Sequence, residues 1–286
     1  MNLTSDLYNK TIVRAGDEYL NTPDDDATAR NYKINTVKKH ELYEQGVKYD
    51  IALVYTTEPI KFNDRTKKIC IPQIPEEHND SDAGHLVYLN GWGREDDWPD
   101  RINDSLKEAQ IQLFSKNFCD DFYQDYDPSI HLCAGNQHGE VGTCPGDSGS
   151  PLVKLMSFTS PPFYMLVGVT HGSSDHCEDR RIDAPGIFAR LKNENILKFV
   201  TEGKTLIDSL HQAAIEGNLD EVKEMTKFLI NVNPVDNDGK TLLRNAHDNG
   251  KQKVVIFLLE ELQNLGIETD ETNEITETLG KFFYRV

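Results

Sequence analysis

The stretch TCPGDSGSPL, residues 143–152, decides how the rest of the chain is interpreted. Gly146 and Gly149 stand on either side of Ser148, and glycine permits a tight turn that side chains would block. A serine hydroxyl is a weak nucleophile at neutral pH until a base takes its proton and N–H groups face the oxyanion that forms. The stretch therefore predicts an exposed nucleophilic serine, with the backbone N–H groups of Gly146 and Ser148 aimed at one point.

Seven other segments, spread between residues 50 and 200, fit around this loop. They are DIAL at 50–53, ICIP at 69–72, GWG at 91–93, LCAG at 132–135, VGVTHG at 167–172, PGIFAR at 185–190 and NENILKFV at 193–200. Together with GDSGSPL at 146–152, they resemble in order and spacing the signature segments of the chymotrypsin-like, or trypsin-fold, serine proteases. The resemblance covers about residues 11–200. So many collinear segments are far more specific than GDSG alone.

The resemblance implies a site for acyl transfer in which Ser148 is the nucleophile and Asp50 orients the catalytic histidine. It also implies that the N–H groups of Gly146 and Ser148 form the oxyanion hole, and that Asp147 supports the loop that carries them. In the family, the partner of that aspartate is the amine released by an activation cleavage, for which this sequence shows no site. We expect no metal and no cofactor to take part.

By the same resemblance, Gly142, Gly172 and Gly186 line the specificity pocket. Gly142 stands where trypsin-like members carry aspartate. The pocket is therefore expected to be open and uncharged, and to prefer large apolar or aromatic residues over Arg or Lys. Glu140 would add a negative charge if the loop were shifted by two residues.

The catalytic histidine of the family precedes the aspartate in the chain, and no histidine here fits that place. Only His40 precedes Asp50, and its setting before Glu41 in a strand that leads to a surface loop indicates a solvent-facing side chain. His171 occupies the position of a tryptophan in the family's pocket wall, where substrate contact or packing is expected and not catalysis. We therefore expect the histidine and its two flanking cysteines to lie upstream of Met1, which predicts a truncated, inactive domain.

The five cysteines all lie in the first 200 residues, and none forms a CxxC pair or a Cys/His cluster at zinc spacing. By themselves they indicate disulfides with one thiol left over. The resemblance implies the pairs Cys119–Cys133 and Cys144–Cys177, and it makes Cys70 the residue that in some members joins an upstream pro-segment. Disulfides imply secretion. Four Asn-x-Ser/Thr sites either point the same way or arise by chance in an Asn-rich chain.

Residues 11–200 contain short apolar runs separated by Gly, Pro, Asn and Asp, which is the pattern of a β-sandwich or barrel. We expect a mainly β fold, an incomplete chymotrypsin-like double β-barrel whose C-terminal barrel is complete. Its N-terminal barrel would lack its first strands. This domain is predicted to occupy residues 1–201.

Beyond residue 201, three pairs of residues recur 33 positions apart: Ala213 and Ala246, Gly217 and Gly250, and Val222 and Val255. A period of this length, with a turn, a helix, a glycine and a second helix, resembles the ankyrin repeat. An accidental pair of helical hairpins is the alternative. We expect two ankyrin-like repeats in 202–265 that lean on the preceding domain or on a third, degenerate repeat and bind a protein partner. The remaining 266–286 are expected to be a mostly solvated acidic tail with an apolar end able to dock, and this tail is where the third, degenerate repeat would lie.

The chain of 286 residues has a net charge of −18, and both its β-rich part and its helical part are acidic. No stripe of Lys and Arg with interleaved aromatic residues stands out, which disfavours binding to nucleic acid. No run approaches the roughly 18 apolar residues of a membrane span, and the polar start MNLTSDLYNK lacks the apolar core of a signal peptide. Secretion would therefore require a signal in the expected upstream segment, although ankyrin repeats are most often intracellular.

Three functions are compatible with these features. The first is a serine-type endopeptidase of the chymotrypsin-like family that acts on proteins or peptides. Its present chain would be inactive because the catalytic histidine is missing from it. The alternative is a non-catalytic homologue that binds partners through its old substrate groove and its repeats. The third is an intracellular ankyrin adaptor that carries a decayed protease insert.

Overall fold

The first strands of the molecule form a three-stranded antiparallel sheet. The computed structural model describes residues 10–21, 29–44, 48–75, 82–94, 103–136, 141–157, 160–172, 184–227, 229 and 231–283. Within these ranges, the sheet has the order β1-β2-β3, with strands β1 (Ile12–Ala15), β2 (Arg30–Lys39) and β3 (Ala52–Thr56). The central strand β2 therefore has both of its edges paired, and it is the strand on which later elements are fixed.

The next six strands close into an antiparallel barrel. They are β4 (Leu86–Gly91), β5 (Lys107–Leu113), β6 (His131–Gly135), β7 (Pro151–Met156), β8 (Phe163–Gly172) and β9 (Gly186–Arg190), in the order β4-β5-β6-β9-β8-β7. Inward side chains such as Val87, Leu152 and Phe188 are 0% exposed and form the core. The closed barrel confirms that the C-terminal barrel is complete. That the first barrel is incomplete stays a prediction.

Two helices accompany the barrel. Helix α1 (Lys116–Asp120) lies between β5 and β6, and α2 (Glu194–Glu202) follows β9. Asn193 begins α2, because its side-chain oxygen accepts a hydrogen bond from Ile196 N at 3.1 Å. The buried residues Ile196, Leu197 and Phe199 lie on one face of α2. The helix predicted from NENILKFV is therefore present and packs by its apolar face.

Helices dominate the chain after residue 205. They are α3 (Leu206–Glu216), α4 (Leu219–Thr226), α5 (Leu242–Asp248), α6 (Gln252–Asn264) and α7 (Asp270–Phe283). Gly217 (φ 83°) lies between α3 and α4, and Gly250 (φ 68°) lies between α5 and α6. The two turns are 33 residues apart, as the sequence period requires. The identity of these helix pairs as ankyrin-like repeats stays a prediction.

The acidic C-terminal stretch differs from the expected solvated tail, because it folds into α7. Ile275 of this helix is 0% exposed within the helical core, and Leu279, four residues further on, packs against the same core. Residues four apart lie on one helix face. Arg244 of α5 also pairs with Glu271 and Glu274 of α7, at 3.2 and 2.9 Å. An apolar stripe and an ion-pair cluster thus fix a segment whose composition alone indicated exposure.

The segment between α4 and α5 is hydrogen-bonded to β2. The side chain of Asn35, 5% exposed, donates to Val235 O at 2.7 Å and accepts from Val235 N at 2.8 Å. Thr36 Oγ1 donates to Asn231 O at 3.1 Å, and Asn231 Nδ2 donates to Asn35 O at 2.8 Å. The helical region therefore lies against the three-stranded sheet, and side chains of each region form hydrogen bonds with backbone groups of the other.

A second contact joins β3 to the start of the helical region. Tyr55 packs against the helical core, and its hydroxyl donates to Gly203 O at 2.9 Å. Burial and the nearby Glu41 raise the pKa of Tyr55 to about 12. The phenol is therefore a neutral donor over the whole physiological pH range, as this contact requires.

Candidate active site

The loop that carries Ser148 is tied to strand β8. Gly149 N donates to Thr170 O at 2.9 Å, and Thr170 N donates to Ser150 O at 2.9 Å. Gly146 and Gly149 adopt positive φ angles of 104° and 88°, a conformation that side chains disfavour. Ser148 itself is exposed at the tip of this turn. The sequence prediction of an exposed serine on a glycine-dependent turn agrees with this geometry.

Asp147 lies beneath the same loop and accepts backbone hydrogen bonds. Asp147 is 7% exposed. Its carboxylate accepts hydrogen bonds from Gly93 N at 2.8 Å and from Cys144 N at 3.0 Å. The GWG segment at 91–93 and the Ser148 loop are thus joined through one buried side chain. Support of the loop by Asp147 is consistent with these two bonds.

Asp50 follows a strained residue that is anchored on both sides. Tyr49 has a φ of 51°, the one positive value of a non-glycine residue in the described part of the chain; such strain concentrates at functional positions. The Tyr49 ring stacks on His40 with centroids 4.8 Å apart, and its hydroxyl accepts from Asn195 Nδ2 at 3.2 Å. Ile51 N donates to Tyr49 O at 2.8 Å, which closes a tight turn about Asp50. The direction of the Asp50 side chain is therefore set by its neighbours.

His40 is part of that anchor, and its predicted solvent-facing position is wrong. The residue is 4% exposed and packs between the rings of Tyr49 and Phe199. Burial lowers the pKa of His40 below its ordinary value of 6.5. The apolar rings of two distant segments cover the imidazole, which the flanking Glu41 in the sequence did not reveal. His40 is thus a neutral packing residue.

A histidine does contact Asp50, and it comes from the pocket wall. His171 Nδ1 lies 2.7 Å from Asp50 Oδ2, across 121 positions of sequence. The His171 ring stacks on the buried His131, with centroids 6.1 Å apart and planes 16° apart. His171 follows Thr170, the residue whose backbone holds the Ser148 loop. The sequence analysis assigned His171 only to substrate contact or packing and did not predict this pair.

The three pocket glycines differ in what surrounds them. A side chain at Gly142 or Gly172 would meet no other atom of the described structure within 4 Å, so both face open space. A Cβ at Gly186 would lie 2.7 Å from Thr143 Oγ1, so any larger residue there would displace Thr143. Thr143 is buried, and its Oγ1 has no hydrogen-bond partner among the described residues. Thr143 is therefore a pocket-side residue that the sequence analysis missed, although it directly precedes Cys144.

Two cysteine predictions can be compared with the structure. Cys119 and Cys133 form the expected disulfide between α1 and β6. Cys144 is disulfide-bonded too, while its predicted partner Cys177 lies outside the described residues, as does Glu140. Cys70 is an exposed free thiol. Cys144 precedes the glycine-dependent turn at Ser148 by two residues.

Comparison with known proteins identifies the family. A family model described as Trypsin matches residues 5–199, which is more than half of the chain and contains Asp50, His171 and Ser148. The chain belongs to the trypsin family. The chymotrypsin-like interpretation of residues 11–200 is thereby confirmed, whereas the helices from residue 206 onward lie outside the match.

Curated members of the trypsin family share about three residues in ten with this chain. The clotting factor G beta subunit of Tachypleus tridentatus is 29% identical over 193 residues, which is 64% of this chain and 60% of that protein. The venom serine protease Bi-VSP of Bombus ignitus is 30% identical over 194 residues, 65% of this chain and 50% of that protein. The venom protease of Bombus pensylvanicus is 27% identical over 181 residues, 63% of this chain and 71% of that protein. The chain thus spans half to three-fifths of the length of the first two relatives.

Across the described ranges, no three His, Cys, Asp or Glu side chains come together as a metal site. Among the described helices, none combines the length and the apolar character needed to cross a bilayer.

Proposed function

We propose that this chain is a serine-type endopeptidase that works by acyl transfer through Ser148, with the Asp50–His171 pair as its base. The observation that carries the proposal is the 2.7 Å contact of His171 Nδ1 with Asp50 Oδ2. A carboxylate at this place orients a histidine and stabilises the imidazolium that forms during the reaction. Membership of the trypsin family supports the reaction class.

The Ser148 loop is hydrogen-bonded to the strand that carries His171. Pro151 of β7 pairs with Val169 of β8, and the hydrogen bonds between Thr170 and the Ser148 loop continue that register. His171 directly follows Thr170, the residue to which the Ser148 loop is hydrogen-bonded, and its ring contacts Asp50. These two contacts support His171 as the base of this site.

The reaction would proceed as follows. Ser148 Oγ attacks the scissile carbonyl carbon while His171 Nε2 takes the hydroxyl proton and Nδ1–H donates to Asp50. The oxyanion faces the N–H groups of Gly146 and Ser148. As the C–N bond breaks, the imidazolium gives its proton to the leaving amine. Water, deprotonated by the same histidine, then attacks the acyl-enzyme and restores free Ser148.

The non-catalytic homologue is the competing function, and one observation favours it. In the family the base precedes the aspartate, yet His40, which alone among the histidines precedes Asp50 in this sequence, is covered by Tyr49 and Phe199. If His171 does not serve as the base, the Ser148 groove would act as a binding surface. The C-terminal helices, for which we propose ankyrin-like repeats in 202–265, would offer a second surface for a protein partner.

For substrates, we propose proteins or peptides with a large apolar or aromatic residue before the scissile bond. Gly142 and Gly172 face open space, and no acidic side chain stands at either position. Thr143 beside Gly186 adds a small polar surface and no charge. The described residues at these positions offer no partner to the cation of Arg or Lys.

We also propose an extracellular setting. Disulfides persist in oxidising compartments, and both Cys119–Cys133 and Cys144 are engaged in them. A relative is described as a clotting factor subunit and two others as venom proteases. Expression of the native protein in a secreting host cell tests this setting. Its appearance in the culture medium would support the proposal, and its retention in the cell would contradict it.

The central experiment compares the full chain with four variants on two readouts. The readouts are covalent labelling by a fluorophosphonate, which reacts with activated serines, and kcat/KM for peptides with Phe, Leu or Arg before the cleaved bond. Ser148→Ala should abolish labelling. His171→Gln and Asp50→Asn should each lower kcat/KM by about 10³-fold or more. His247→Gln, in the helical region, is the matched control and should change nothing.

The outcomes distinguish the peptidase from the non-catalytic homologue. Labelling of Ser148 with unchanged kinetics in His171→Gln would retain the peptidase but remove His171 as its base. Absence of labelling in the natural chain, with tight binding of an unmodified peptide, would establish the non-catalytic homologue. Preference for Arg over Phe would refute the uncharged pocket alone.

A further inference from the structure

Arg190 is a buried cation at the end of the barrel interior. It follows Phe188 by two residues on β9, so both side chains point to the same face of the strand, and Phe188 lies in the barrel core. The Arg190 side chain is 2% exposed. A guanidinium that has lost its water needs partners for its donors. The register of β9 thus places a charge where the barrel otherwise holds apolar groups.

Within the described part of the structure, only one nitrogen of this guanidinium lies near an acidic partner. Arg190 Nη2 lies 3.7 Å from Asp82 Oδ2, which is an ion pair but longer than a hydrogen bond. Arg190 Nε and Nη1 have no hydrogen-bond partner in the described part of the structure. Buried donors without acceptors are costly and rare. Two nitrogens of Arg190 therefore lack a hydrogen-bond acceptor inside the barrel mouth.

Arg190 belongs to the wall of a cavity that also contains two lysines and several apolar side chains. The cavity has a volume of about 50 Å³ and opens to solvent, and Lys154 and Lys192 lie on its wall with Arg190 and Asp82. The rest of the wall is apolar, formed by Leu113, Leu132, Met156, Met165 and Val167. In a chain of net charge −18, this concentration of cations is a local exception.

The cavity is separate from the Ser148 site. Strand β7 begins directly after the Ser148 loop, and Met156, which lines the cavity, is its last residue. Strand β8 carries His171 near its end and Met165 near its start. The two sites therefore lie at opposite ends of the same barrel, and they use the same strands.

We propose that this cavity binds a small organic carboxylate with a short apolar body. The carboxylate would accept a charge-assisted hydrogen bond from Arg190 Nη1, one of the two nitrogens that lack a partner in the described structure. Lys154 would add its charge at the rim. The apolar body would rest on Met156 and Met165, whose flexible side chains adapt to varied shapes. The ligand would give Arg190 a second anionic partner beside Asp82 and link β7, β8 and β9, so that it stabilises the barrel.

The test titrates the full chain with hexanoate, its neutral analogue hexanamide, and inorganic phosphate. Calorimetry and the shift of the unfolding temperature are the readouts. We expect saturable binding of hexanoate with a higher unfolding temperature, at least 10-fold weaker binding of hexanamide, and at least 10-fold weaker binding of phosphate. Arg190→Met should weaken hexanoate binding at least 10-fold. Lys198→Met, an exposed lysine of α2, is the control and should leave it unchanged.

Lys154→Met provides a second route if Arg190→Met fails to fold. It should weaken hexanoate binding several-fold, because only the rim charge is removed, and it should leave hexanamide unaffected. Equal affinity for phosphate and hexanoate would overturn the apolar part of the assignment. Absence of saturable binding, or equal binding in Arg190→Met, would overturn the site and leave water as the partner of Arg190.

Discussion

The two β-sheets of the molecule bury their residues in different ways. The six-stranded barrel closes on itself and surrounds its own core, with Leu152 and Phe188 fully buried. The described three-stranded sheet is open, and β2 is covered by the segment that leads from α4 to α5. The barrel is therefore stabilised within itself, whereas the open sheet depends on elements almost 200 residues away.

This difference bears on the candidate site, since each sheet contributes to it. Ser148 and His171 belong to the barrel, while Asp50 precedes β3 of the open sheet. Asp50 is placed by contacts between regions: Tyr49 reaches Asn195 of α2 and stacks on His40. Loss of the helical region's packing is thus expected to displace Asp50 before it affects Ser148. The predictions below test this division.

The largest effect is expected in the barrel core. Phe188→Ala removes a fully buried ring and should lower the free energy of unfolding by about 3–5 kcal/mol. Phe62→Ala, at a 54% exposed phenylalanine, is the control and should cost under about 1 kcal/mol. Denaturant unfolding measures the change, and hydrogen exchange locates it. Equal losses in the two variants would contradict a barrel that is stabilised by its interior.

The contact between β2 and the helical region should be next. Asn35→Ala leaves the N–H and C=O of Val235 without their buried partner, which should cost about 1–3 kcal/mol. Hydrogen exchange should quicken in β2 and β3 and stay unchanged in β4–β9, while labelling of Ser148 slows. The exposed Asn31→Ala on the same strand is the matched control. Uniform loss of protection in both sheets would show that the two regions unfold as one.

The pH dependence of stability should come from two buried histidines. Burial lowers the pKa of His40 and, despite the nearby Asp236, that of His211 below 6.5. The unfolded chain then binds protons that the folded chain does not, so stability falls as the pH drops below 6.5 and toward the folded pKa. Each histidine contributes a slope of at most about 1.4 kcal/mol per pH unit.

Variants assign these slopes to their regions. His211→Gln should flatten the dependence of the unfolding temperature on pH between 7 and 5 for the helical region, and His40→Phe should do so for the open sheet. Only slopes are compared, since both changes alter packing as well. A slope that neither variant changes would assign the acid sensitivity to other groups.

The smallest effects are expected at the N-terminal caps of two helices, α2 beside the barrel and α4 in the helical region. Asn193 accepts from Ile196 N at the start of α2, and Asn218 accepts from Glu221 N at the start of α4. Alanine at either position should cost about 1 kcal/mol. Asn273→Ala, at an exposed position inside α7, lacks a capping role and should cost nothing measurable. A loss at Asn193 well above that at Asn218 would indicate that its second bond, from Nδ2 to Ser129 O, also contributes.

Much of this structure could be predicted from local patterns. Glycines at 146 and 149 indicated the turn at Ser148, because few other residues adopt its backbone angles. Short apolar runs separated by Gly, Pro, Asn and Asp indicated the barrel strands, and NENILKFV indicated α2. The disulfide Cys119–Cys133 followed from the resemblance. Ile275 and Leu279 carried a helical signal in the acidic stretch, but the surrounding charge obscured it.

The sequence by itself determined which residues form strands, turns and helices, and that Ser148 lies on an exposed loop, because these depend on neighbours a few positions away. The tertiary structure alone decided the remaining features. Asp50 meets His171 across 121 residues, His40 is covered by Phe199, and Arg190 enters the barrel mouth. Each of these depends on which strands pair and in which register, and a one-residue change of register turns a side chain to the opposite face. That choice is made by the packing of the whole chain and not by any short segment.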